Sequence, residues 1–363
     1  MKILLDYQIF HLQRYGGISR YFSKLSEYLT KLNYDVKIHC PVYENNYLDN
    51  EKIKPNIIGH KIKKFPIFTK TLFNYLNYRL TKRYLDKNDL DILHLTYFNK
   101  IYRLNKKVKK ILTVYDLIHE KFNYLYDKSL IDYKKTSLQF ADEIICISYN
   151  TKKDLLNFYD VDESKVTVIH LGVEPKEDIK KLNLDKKIIL YVGDRGKYKN
   201  FDRFIKAYAS SNKLIKNFEI LCFGGGEFTS QEIEYIKNLN IPEGKVKQIS
   251  GHDNILNNLY KSAEFLIVPS LYEGFGLPIL EAMSFGCPVL CGNNSSIPEV
   301  ANNAALYFDA NEVDSIKNKM EIFLDNFEIK TKLINDGLEN IKQFSWENCA
   351  KKTLDVYKKK NLN

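Results

Sequence analysis

The sequence has no hydrophobic run long enough to cross a membrane. Its longest apolar stretches, Lys187–Val192 and residues 263–269, are strand-sized, whereas a membrane-spanning helix needs about 20 apolar residues. The N-terminus enters a strand pattern directly, without the apolar segment or cleavage site of a signal peptide. We therefore expect neither an integral membrane protein nor a secreted one, and predict a cytoplasmic location.

Paired cysteines and metal-ligand spacings are also missing. The six cysteines are scattered, most of them within apolar runs, with no CxxC pair and no Cys/His cluster of zinc-like spacing. We interpret them as reduced core residues. No metal site and no resident cofactor is predicted.

Acidic residues are in the minority. The chain has 55 Lys and Arg against 45 Asp and Glu, a formal net charge of +10, which favours an anionic partner such as nucleic acid, an anionic membrane or a phosphorylated substrate. However, the lysines are dispersed, and only residues 61–64 and 103–110 are locally basic. A general composition bias is therefore favoured over a nucleic-acid surface, and peripheral contact with an anionic membrane stays open.

What the sequence does contain is an alternation of short β-branched runs with longer amphipathic stretches. With 363 residues and 44% hydrophobic content, the chain is long enough for two cores. The predicted strands are 2–7, 35–40, 92–97, 110–115, 143–148, 166–171, 187–193, 219–224, 246–251, 265–269, 288–291 and 305–308. The pattern predicts an α/β protein with two doubly wound parallel-sheet (Rossmann-like) domains facing a central cleft.

The seam between the two series of strands is a polar, charged stretch with one proline. We predict a first domain over 1–172, a linker over 173–186, a second domain over 187–345 and a final helical segment over 346–363. In such domains, ligands bind at the carboxyl ends of the strands. His94 and His170 end predicted strands and are candidates to line the cleft.

Two glycines, Gly16 and Gly17, follow the first predicted strand and precede a helix. They would let the backbone approach a ligand, and the helix N-terminus would offer N–H groups to an anion. An ordinary βα turn explains them equally well. The dinucleotide fingerprint G-x-G-x-x-G is absent from this segment.

Two cations, Arg195 and Lys199, lie on the loop after the first strand of the second series. Arginine offers a planar fork to phosphate oxygens and lysine a point charge, so the pair could stabilise a diphosphate leaving group without a metal. The next predicted strand ends in three glycines that include Gly225, which suit close approach of the backbone to a flat ligand such as a base. Ordinary surface cations and an ordinary turn are the alternatives.

The most informative segment runs from residue 269 to 283. Its loop leads into a helix with proline in the first turn, where the amides of Phe275, Gly276 and Leu277 would face an anion or sugar hydroxyls. Glu273 and Glu281 are eight positions apart, about 12 Å if fully helical, which is too far for a glycosidase carboxylate pair. With Glu273 on the loop and Glu281 in the helix, each can hold a different part of one extended ligand.

These motifs resemble a retaining glycosyltransferase of family 4, the "glycosyl transferases group 1" family, with the GT-B fold. The resemblance covers nearly the whole chain, and its Glu-x7-Glu segment is highly specific. The matching segments are YGGISRY, TVYDLIHE, VIHLGV, YVGDRGKYKNF, CFGGGEF, PSLYEGFGLPILEAMSFGCPV, SSIPEV and FSWE.

The resemblance implies transfer of a sugar from a nucleotide-sugar donor with retention and without a metal. It implies that Arg195 and Lys199 bind the donor diphosphate and that Glu281 binds the ribose hydroxyls. Gly16 and Gly17 would let the first domain close on the phosphates. Glu273, a catalytic candidate, would face the donor sugar. Attack would occur on the donor's front face, with the leaving diphosphate as base, and a covalent nucleophile role for Glu273 is the less favoured alternative. It also implies an acceptor-side first domain, a nucleotide-sugar-binding second domain and a C-terminal helix that crosses back to the first, with Trp346 as a packing anchor.

One position departs from the family pattern. Where the family commonly carries His-Asp at the end of a strand of the first domain, this chain has Tyr115-Asp116, with His119 shortly after. Asp116 and His119 are therefore named as catalytic candidates. Whether His119 or Tyr115 takes the role of the usual histidine stays open.

Variants of the motifs resemble mannosyltransferases of surface-polysaccharide assembly, which favours GDP-mannose as the donor and a glycan or lipid-linked saccharide as the acceptor. A UDP-sugar donor is the nearest alternative. A nucleotide-sugar epimerase of the same fold is disfavoured by the Glu-x7-Glu match, and a basic nucleic-acid-binding protein by the dispersed lysines. The residues do not specify the linkage or the oligomeric state.

Overall fold

The structure, a computed structural model, describes residues 1–98, 101–104, 106–126, 128–174, 179, 181 and 186–359. The chain divides into two units, Met1–Gly172 with Trp346–Asn363, and Val173–Ser345. The predicted linker, 173–186, lies for the most part outside the described residues. The assignment of the units as acceptor-side and nucleotide-sugar-binding domains stays a prediction.

In the described part of the first unit, seven parallel strands form one sheet in the order β3-β2-β1-β4-β5-β6-β7. The strands are β1 (Lys2–Leu5), β2 (Asp35–Tyr43), β3 (Ile57–Lys61), β4 (Ile92–Leu95), β5 (Lys109–Val114), β6 (Glu143–Cys146) and β7 (Val166–Val168). The helices are α1 (Gln8–Leu12), α2 (Gly17–Lys31), α3 (Lys70–Lys87), α4 (Ile118–Lys121), α5 (Ser129–Phe140) and α6 (Tyr149–Phe158).

The burial of this sheet follows from its sequence. All four residues of β4 are buried, although successive side chains of a strand point to opposite faces, so both faces are covered. In α2 the buried residues Tyr21, Phe22, Leu25 and Leu29 recur at helical spacing and form its inner face.

The second unit repeats the plan with six described parallel strands in the order β10-β9-β8-β11-β12-β13. The strands are β8 (Lys187–Val192), β9 (Phe218–Phe223), β10 (Val246–Ile249), β11 (Phe265–Val268), β12 (Val289–Gly292) and β13 (Ala305–Phe308). The helices are α7 (Phe201–Ala209), α8 (Asn212–Asn217), α9 (Ser230–Asn238), α10 (Asp253–Ser262), α11 (Leu277–Ser284), α12 (Ile297–Ala301), α13 (Val313–Asp325) and α14 (Phe327–Asn340). Its core is aromatic around β8 and α7, where the rings of Tyr191 and Phe201 lie 5.1 Å apart.

The last helix, α15 (Trp346–Lys358), belongs to the first unit and packs on α2. Trp346 is buried with its ring 6.3 Å from that of Tyr21, which confirms it as a packing anchor. Tyr357, near the other end of the helix, is buried against His94.

The predicted fold class, two doubly wound parallel sheets, is confirmed, and each predicted strand overlaps an observed one. The sequence pattern missed β3, an edge strand that is only partly buried and therefore lacks the apolar signature of the inner strands. No helix among the described residues combines the length and apolar character needed to span a membrane.

The expectation that His94 lines a ligand site is wrong. Its ring is fully buried, with Nδ1 2.7 Å from the Tyr357 hydroxyl and Nε2 2.8 Å from Thr113 Oγ1. Burial lowers the pKa of His94 to about 3. It is therefore a neutral core histidine. The six cysteines are all buried and unpaired with one another, as predicted.

Candidate active site

The predicted site residues of the second unit gather at the carboxyl edge of its sheet. Since β9, β8, β11 and β12 are adjacent and parallel, the loops that follow them emerge side by side. These loops carry Arg195, Gly225, Glu273 and the polar run 293–296. The second-unit motifs therefore share one edge of the sheet.

Lys199 and Glu273 form an ion pair across two of these loops. Lys199 lies at the end of a 3-10 turn after β8, Glu273 lies on the loop before α11, and Nζ is 2.8 Å from Oε1. Both side chains are partly exposed, at 19% and 15%. The pair therefore places a cation and a carboxylate together where a ligand can reach both.

Three polar side chains hold the Glu273 loop, and their role was not predicted. The Glu273 N–H donates to Ser295 Oγ at 2.8 Å, and Ser296 Oγ donates to the Glu273 carbonyl at 2.8 Å, with the Phe275 carbonyl at 3.1 Å. Asn294 donates to the Ser270 carbonyl at 3.0 Å. The available signal was the run of polar residues that directly follows β12.

Asn200 joins the loops after β8 and β11 at a deeper level. It is buried in the left-handed conformation with φ of 59°, and its Nδ2 donates to the Pro269 and Ala310 carbonyls at 2.9 and 2.7 Å. The Leu271 N–H also donates to the Tyr198 carbonyl at 2.7 Å. These contacts fix the relative positions of Lys199 and Glu273.

Arg195 is buried beneath the glycine loop instead of standing out toward solvent. Only 5% of the residue is exposed, and its guanidinium donates to the carbonyls of Gly224, Gly226 and Glu227 at 2.9 to 3.1 Å. Its Nε donates to Glu232 Oε1 at 2.7 Å. Arg195 thus organises the loop after β9 and places a positive charge directly behind it.

Glu232, which was not predicted, couples this arginine to helix α9. Together with Thr229 it forms a capping box, in which the Thr229 N–H donates to Glu232 Oε2 at 2.7 Å. Burial raises the pKa of Glu232, but the hydrogen bonds from Arg195 and Thr229 outweigh this and leave it lowered. The carboxylate therefore stays ionised opposite Arg195.

Gly225 has to be glycine in this arrangement. Its φ is +69°, and a Cβ at this position would lie 2.8 Å from both Arg195 Nη1 and the Gly193 carbonyl oxygen. The close approach of Arg195 explains this residue without a ligand, although the loop still lies at the site edge.

The N-terminus of α11 completes the group. Gly276 is the N-cap at φ of +103°, Leu277 begins the helix and Pro278 follows, and no described side chain caps this end. Phe275 is buried, with its ring 6.0 Å from that of Phe344. The positive end of the helix dipole therefore lies beside the Lys199–Glu273 pair.

Glu281 lies one turn inside α11, whereas Glu273 lies on the loop, as the spacing predicted. Glu281 is 7% exposed, and its Oε2 accepts a hydrogen bond from the Tyr260 hydroxyl at 2.9 Å. Tyr260, stacked on Phe285, thus orients the carboxylate from α10.

The remaining predicted residues belong to the first unit. Gly16 is the N-cap of α2 and Gly17 its first residue. The Gln13 side-chain oxygen, Oε1, accepts a hydrogen bond from the Ser19 N–H at 3.1 Å. A Cβ on Gly16 would collide with this same Gln13 oxygen. Gln13, which was not predicted, therefore occupies one of the N–H groups expected to meet an anion.

Asp116 and His119 flank the start of α4. Asp116 Oδ1 accepts from the Ile118 N–H at 3.1 Å, and the half-buried His119 ring lies 4.7 Å from that of Tyr126. Tyr115 is buried, with its hydroxyl donating to the Thr96 carbonyl at 3.0 Å. Of the two alternatives, His119 is therefore the side chain with access to solvent.

Sequence comparison assigns the chain to a family. The profile of "Glycosyltransferase Family 4" matches residues 15–177 and that of "Glycosyl transferases group 1" matches residues 173–339, so that together they account for most of the chain. The chain belongs to the group 1 glycosyltransferases. The alternatives of an epimerase and a nucleic-acid-binding protein receive no support from these matches.

Individual relatives agree with this family. An O-antigen chain mannosyltransferase B of Escherichia coli is 30% identical over 61% of this chain and 62% of its own length. The O-antigen chain mannosyltransferase RfbU of Salmonella typhimurium is 29% identical over half of each chain. The matched region thus spans less than two thirds of either relative.

Solved structures show the same fold. A sucrose-phosphate synthase from Thermosynechococcus elongatus superposes with a TM-score of 0.77 over 98% of this chain and 97% of its own, at 19% identity. The group 1 glycosyltransferase described here therefore has the GT-B fold, with two parallel-sheet Rossmann-like units.

Metal ligands are not clustered in the described part of this glycosyltransferase. No group of three or more His, Cys, Asp or Glu side chains there could hold a metal ion. At the carboxyl edge of the second sheet, the structure places Lys199 and Arg195 with their carboxylate partners Glu273 and Glu232.

Proposed function

We propose that this protein is a retaining hexosyltransferase that moves mannose from GDP-mannose to a glycan or lipid-linked saccharide in surface-polysaccharide biosynthesis. The names of the two bacterial relatives support mannose and a polysaccharide acceptor. The observation that carries the proposal is the Lys199–Glu273 pair beside the N-terminus of α11. It offers a cation and a helix dipole to a diphosphate and a carboxylate to the attached sugar.

Lys199 is the group proposed to meet the donor diphosphate directly. Its Nζ is paired with Glu273, so an incoming phosphate would compete for Nζ and release the carboxylate toward the donor sugar. Arg195 would contribute its charge from behind the glycine loop, since its N–H groups already bind that loop.

Glu281 is proposed to accept hydrogen bonds from the ribose hydroxyls of the nucleotide. Its orientation by the Tyr260 hydroxyl supports this role, because a pre-positioned carboxylate loses less freedom when it binds. The amides of Phe275, Gly276 and Leu277 would lie near the donor sugar.

The proposed mechanism is front-face displacement without a protein nucleophile. The acceptor hydroxyl would attack the anomeric carbon as the bond to the diphosphate breaks, and a diphosphate oxygen would take the hydroxyl proton. Lys199 and the α11 dipole would stabilise the charge that develops on the leaving group, so we propose that no metal is needed. Asp116, His119, Gly16 and Gly17 stay predictions for the first unit.

A nucleotide panel tests the donor class first. Thermal shift would be measured with GDP, UDP, ADP and CDP, each with and without EDTA. At about a hundred times its dissociation constant, a ligand adds roughly 2.7 kcal/mol to the free energy of unfolding. A selective GDP response that EDTA does not change supports the proposal, and a selective UDP response supports the UDP-sugar alternative.

Variants test the residue assignments. Lys199→Ala should weaken binding of the selected nucleotide diphosphate about tenfold or more, because a charge-assisted hydrogen bond is lost. Lys197→Ala, which removes an exposed lysine from the same turn, is the matched control. Equal effects of both changes, or no response to any nucleotide, would overturn the proposal. NMR of the product anomer then tests retention.

We further propose a cytoplasmic protein that contacts the inner face of the membrane peripherally. The support is the net charge of +10 and the proposed lipid-linked acceptor.

A further inference from the structure

One segment of the first unit is basic without interruption. Residues 52–85 contain nine Lys and Arg and not one Asp or Glu, although the whole chain carries 45 acidic residues. Lys61 pairs with Asp49 and Lys82 with Asp86, outside the segment.

Four other cations of this segment lack such a carboxylate partner within the described residues. No ion pair with a carboxylate joins Lys63, Lys64, Arg79 or Arg83 within the described residues, and all four are exposed. The segment therefore presents uncompensated positive charge.

Large apolar side chains are exposed among these cations. Phe68 is 99% exposed, Ile67 79% and Leu72 64%. Ile67 and Phe68 form the tip of a turn that is closed by a hydrogen bond from the Thr69 N–H to the Pro66 carbonyl at 3.1 Å. Exposing these two side chains to water does not stabilise the folded chain, so the tip is suited to contact with an apolar partner.

Helix α3 continues the same surface. Leu72, Tyr75, Leu76, Arg79 and Arg83 recur at helical spacing and are exposed. The opposite face of α3 is buried through Asn77, Thr81 and Leu85 and packs on β2. The solvent-facing side of α3 is therefore both apolar and basic, instead of purely polar.

The positive charge of this surface indicates which kind of partner it can bind. A twofold contact between copies through this face would bring the same uncompensated cations together, which disfavours a homodimer. Exposed aromatic and aliphatic residues beside Lys and Arg are the pattern by which proteins bind the interface of an anionic bilayer.

We propose that the basic-apolar face, defined by Lys63, Lys64, Ile67, Phe68, Leu72 and Arg79, docks on an anionic lipid surface. Ile67 and Phe68 insert between the headgroups while the cations contact lipid phosphates. The docking face adds a lipid partner to the proposed function. Its role, which is to bring the enzyme to a lipid-linked acceptor, rests on that proposed function.

A cavity in the same unit lies next to this face. It has a volume of about 340 Å³, and Leu12, Gln13, Tyr97 and Tyr133 are among the residues that line it. Lys70, the first residue of α3, donates from Nζ to the Leu12 carbonyl at 3.2 Å, which joins the helix to the cavity wall. A saccharide carried at the membrane surface would therefore find an aromatic-lined cavity beside the docking face.

Vesicle co-sedimentation tests the proposal with the full chain. Vesicles of phosphatidylcholine alone would be compared with an equimolar mixture of phosphatidylcholine and phosphatidylglycerol, at low and high salt. The protein should bind the mixed vesicles only, with an affinity that falls as salt rises. Equal binding to both kinds of vesicle, or binding to neither, overturns the proposal. If the protein binds neither, an acidic protein becomes the partner to test.

Paired variants locate the binding. Lys63→Glu/Lys64→Glu should lower partitioning at least about twentyfold, since each cation near an anionic surface contributes about fivefold. Ile67→Ser/Phe68→Ser should lower it roughly tenfold by removing the inserted side chains. The matched controls in the second unit, Lys206→Glu/Lys216→Glu and Ile322→Ser/Phe327→Ser, change exposed residues of the same types and should bind as wild type.

The outcomes separate this proposal from the transferase proposal. Nucleotide thermal shift of the same variants should be unchanged, which also shows that they are folded. Loss of vesicle binding in the controls to the same extent overturns the docking face while leaving nucleotide binding intact. Vesicle binding through the face in a protein that responds to no nucleotide would overturn the transferase function and keep the face.

Discussion

Single residues in the second unit serve more than one structural purpose. Arg195 hydrogen-bonds to the glycine loop and forms an ion pair with Glu232. Its guanidinium also lies over the Phe228 ring, with Cζ 4.6 Å from the ring centroid. Its position depends on Gly225, because any side chain there would meet the guanidinium. The chemistry of the loop and its backbone conformation are therefore coupled.

Gly225→Ala tests this coupling. The substitution combines a strained φ with a collision against Arg195, so it should destabilise the unit by about 1–3 kcal/mol and weaken nucleotide binding. Gly226→Ala is the matched control, since its φ of +75° imposes similar strain but its Cβ would have open space. Thermal unfolding and nucleotide titration of both variants measure the difference. If both lose nucleotide affinity equally, the Arg195 contact does not matter for binding.

A second residue-scale prediction concerns the two glutamates. Glu281→Ala should weaken nucleotide binding, because the proposed ribose contact is lost, whereas Glu273→Ala should lower turnover more than affinity. Steady-state kinetics with varied donor separates kcat from KM. Wild-type kinetics in either variant would contradict its assignment.

At the scale of elements, the site consists of loops held together after four adjacent strands. Their positions depend on buried polar side chains of Asn200 and Ser296 that bond to carbonyls of a neighbouring loop. Each such bond satisfies a backbone group that the loop cannot pair internally. The loops are therefore rigid where Glu273 is presented.

Ser296→Ala should loosen this arrangement. It leaves the carbonyls of Glu273 and Phe275 without their donor, at a cost of about 1–3 kcal/mol, and turnover should fall more than donor affinity. Ser262→Ala is a suitable control, because that serine is also buried but bonds to the Asn258 carbonyl within its own helix. A similar loss of turnover in both variants would show a general stability effect instead of loop positioning.

At the scale of the whole molecule, buried neutral histidines link stability to pH. Burial lowers the pKa of His94 to about 3 and the pKa values of His11 and His39 to about 4 each. The ordinary value is 6.5, so the unfolded chain binds more protons below that pH. Stability is therefore full above about pH 6.5 and falls as the pH drops toward the folded values.

His94→Gln should flatten this dependence. Between pH 7 and pH 4.5 the wild type should lose up to about 2–3 kcal/mol through His94, a loss that the variant does not show whatever its absolute stability. His60→Gln, which changes an exposed histidine of β3, should keep the wild-type slope. Chemical unfolding at several pH values gives the slopes, and an unchanged slope in His94→Gln would contradict the assignment.

The parts of the fold that the sequence predicted are those in which local pattern and burial agree. The inner strands are apolar on both faces and recognisable, whereas β3, half-exposed at the sheet edge, lacks that pattern. For the site, the segments predicted to follow strands of the second series lie on adjacent loops at one edge of the second sheet. The partners Glu232 and Gln13 were missed because they come from other segments and belong to no recognised motif. Ser295 and Ser296 begin the SSIPEV motif, but nothing local in the sequence shows that they bond to the Glu273 loop.

The sequence by itself determined the fold class, the family and the order of the site motifs, because these depend on periodicity and on residue types at short spacing. Only the tertiary structure decided that Arg195 is buried behind its loop and Lys199 is the accessible cation. It also decided that His94 lies in the core and that Ile67 and Phe68 are exposed among cations. Burial is a property of contacts between distant segments, which no local pattern contains.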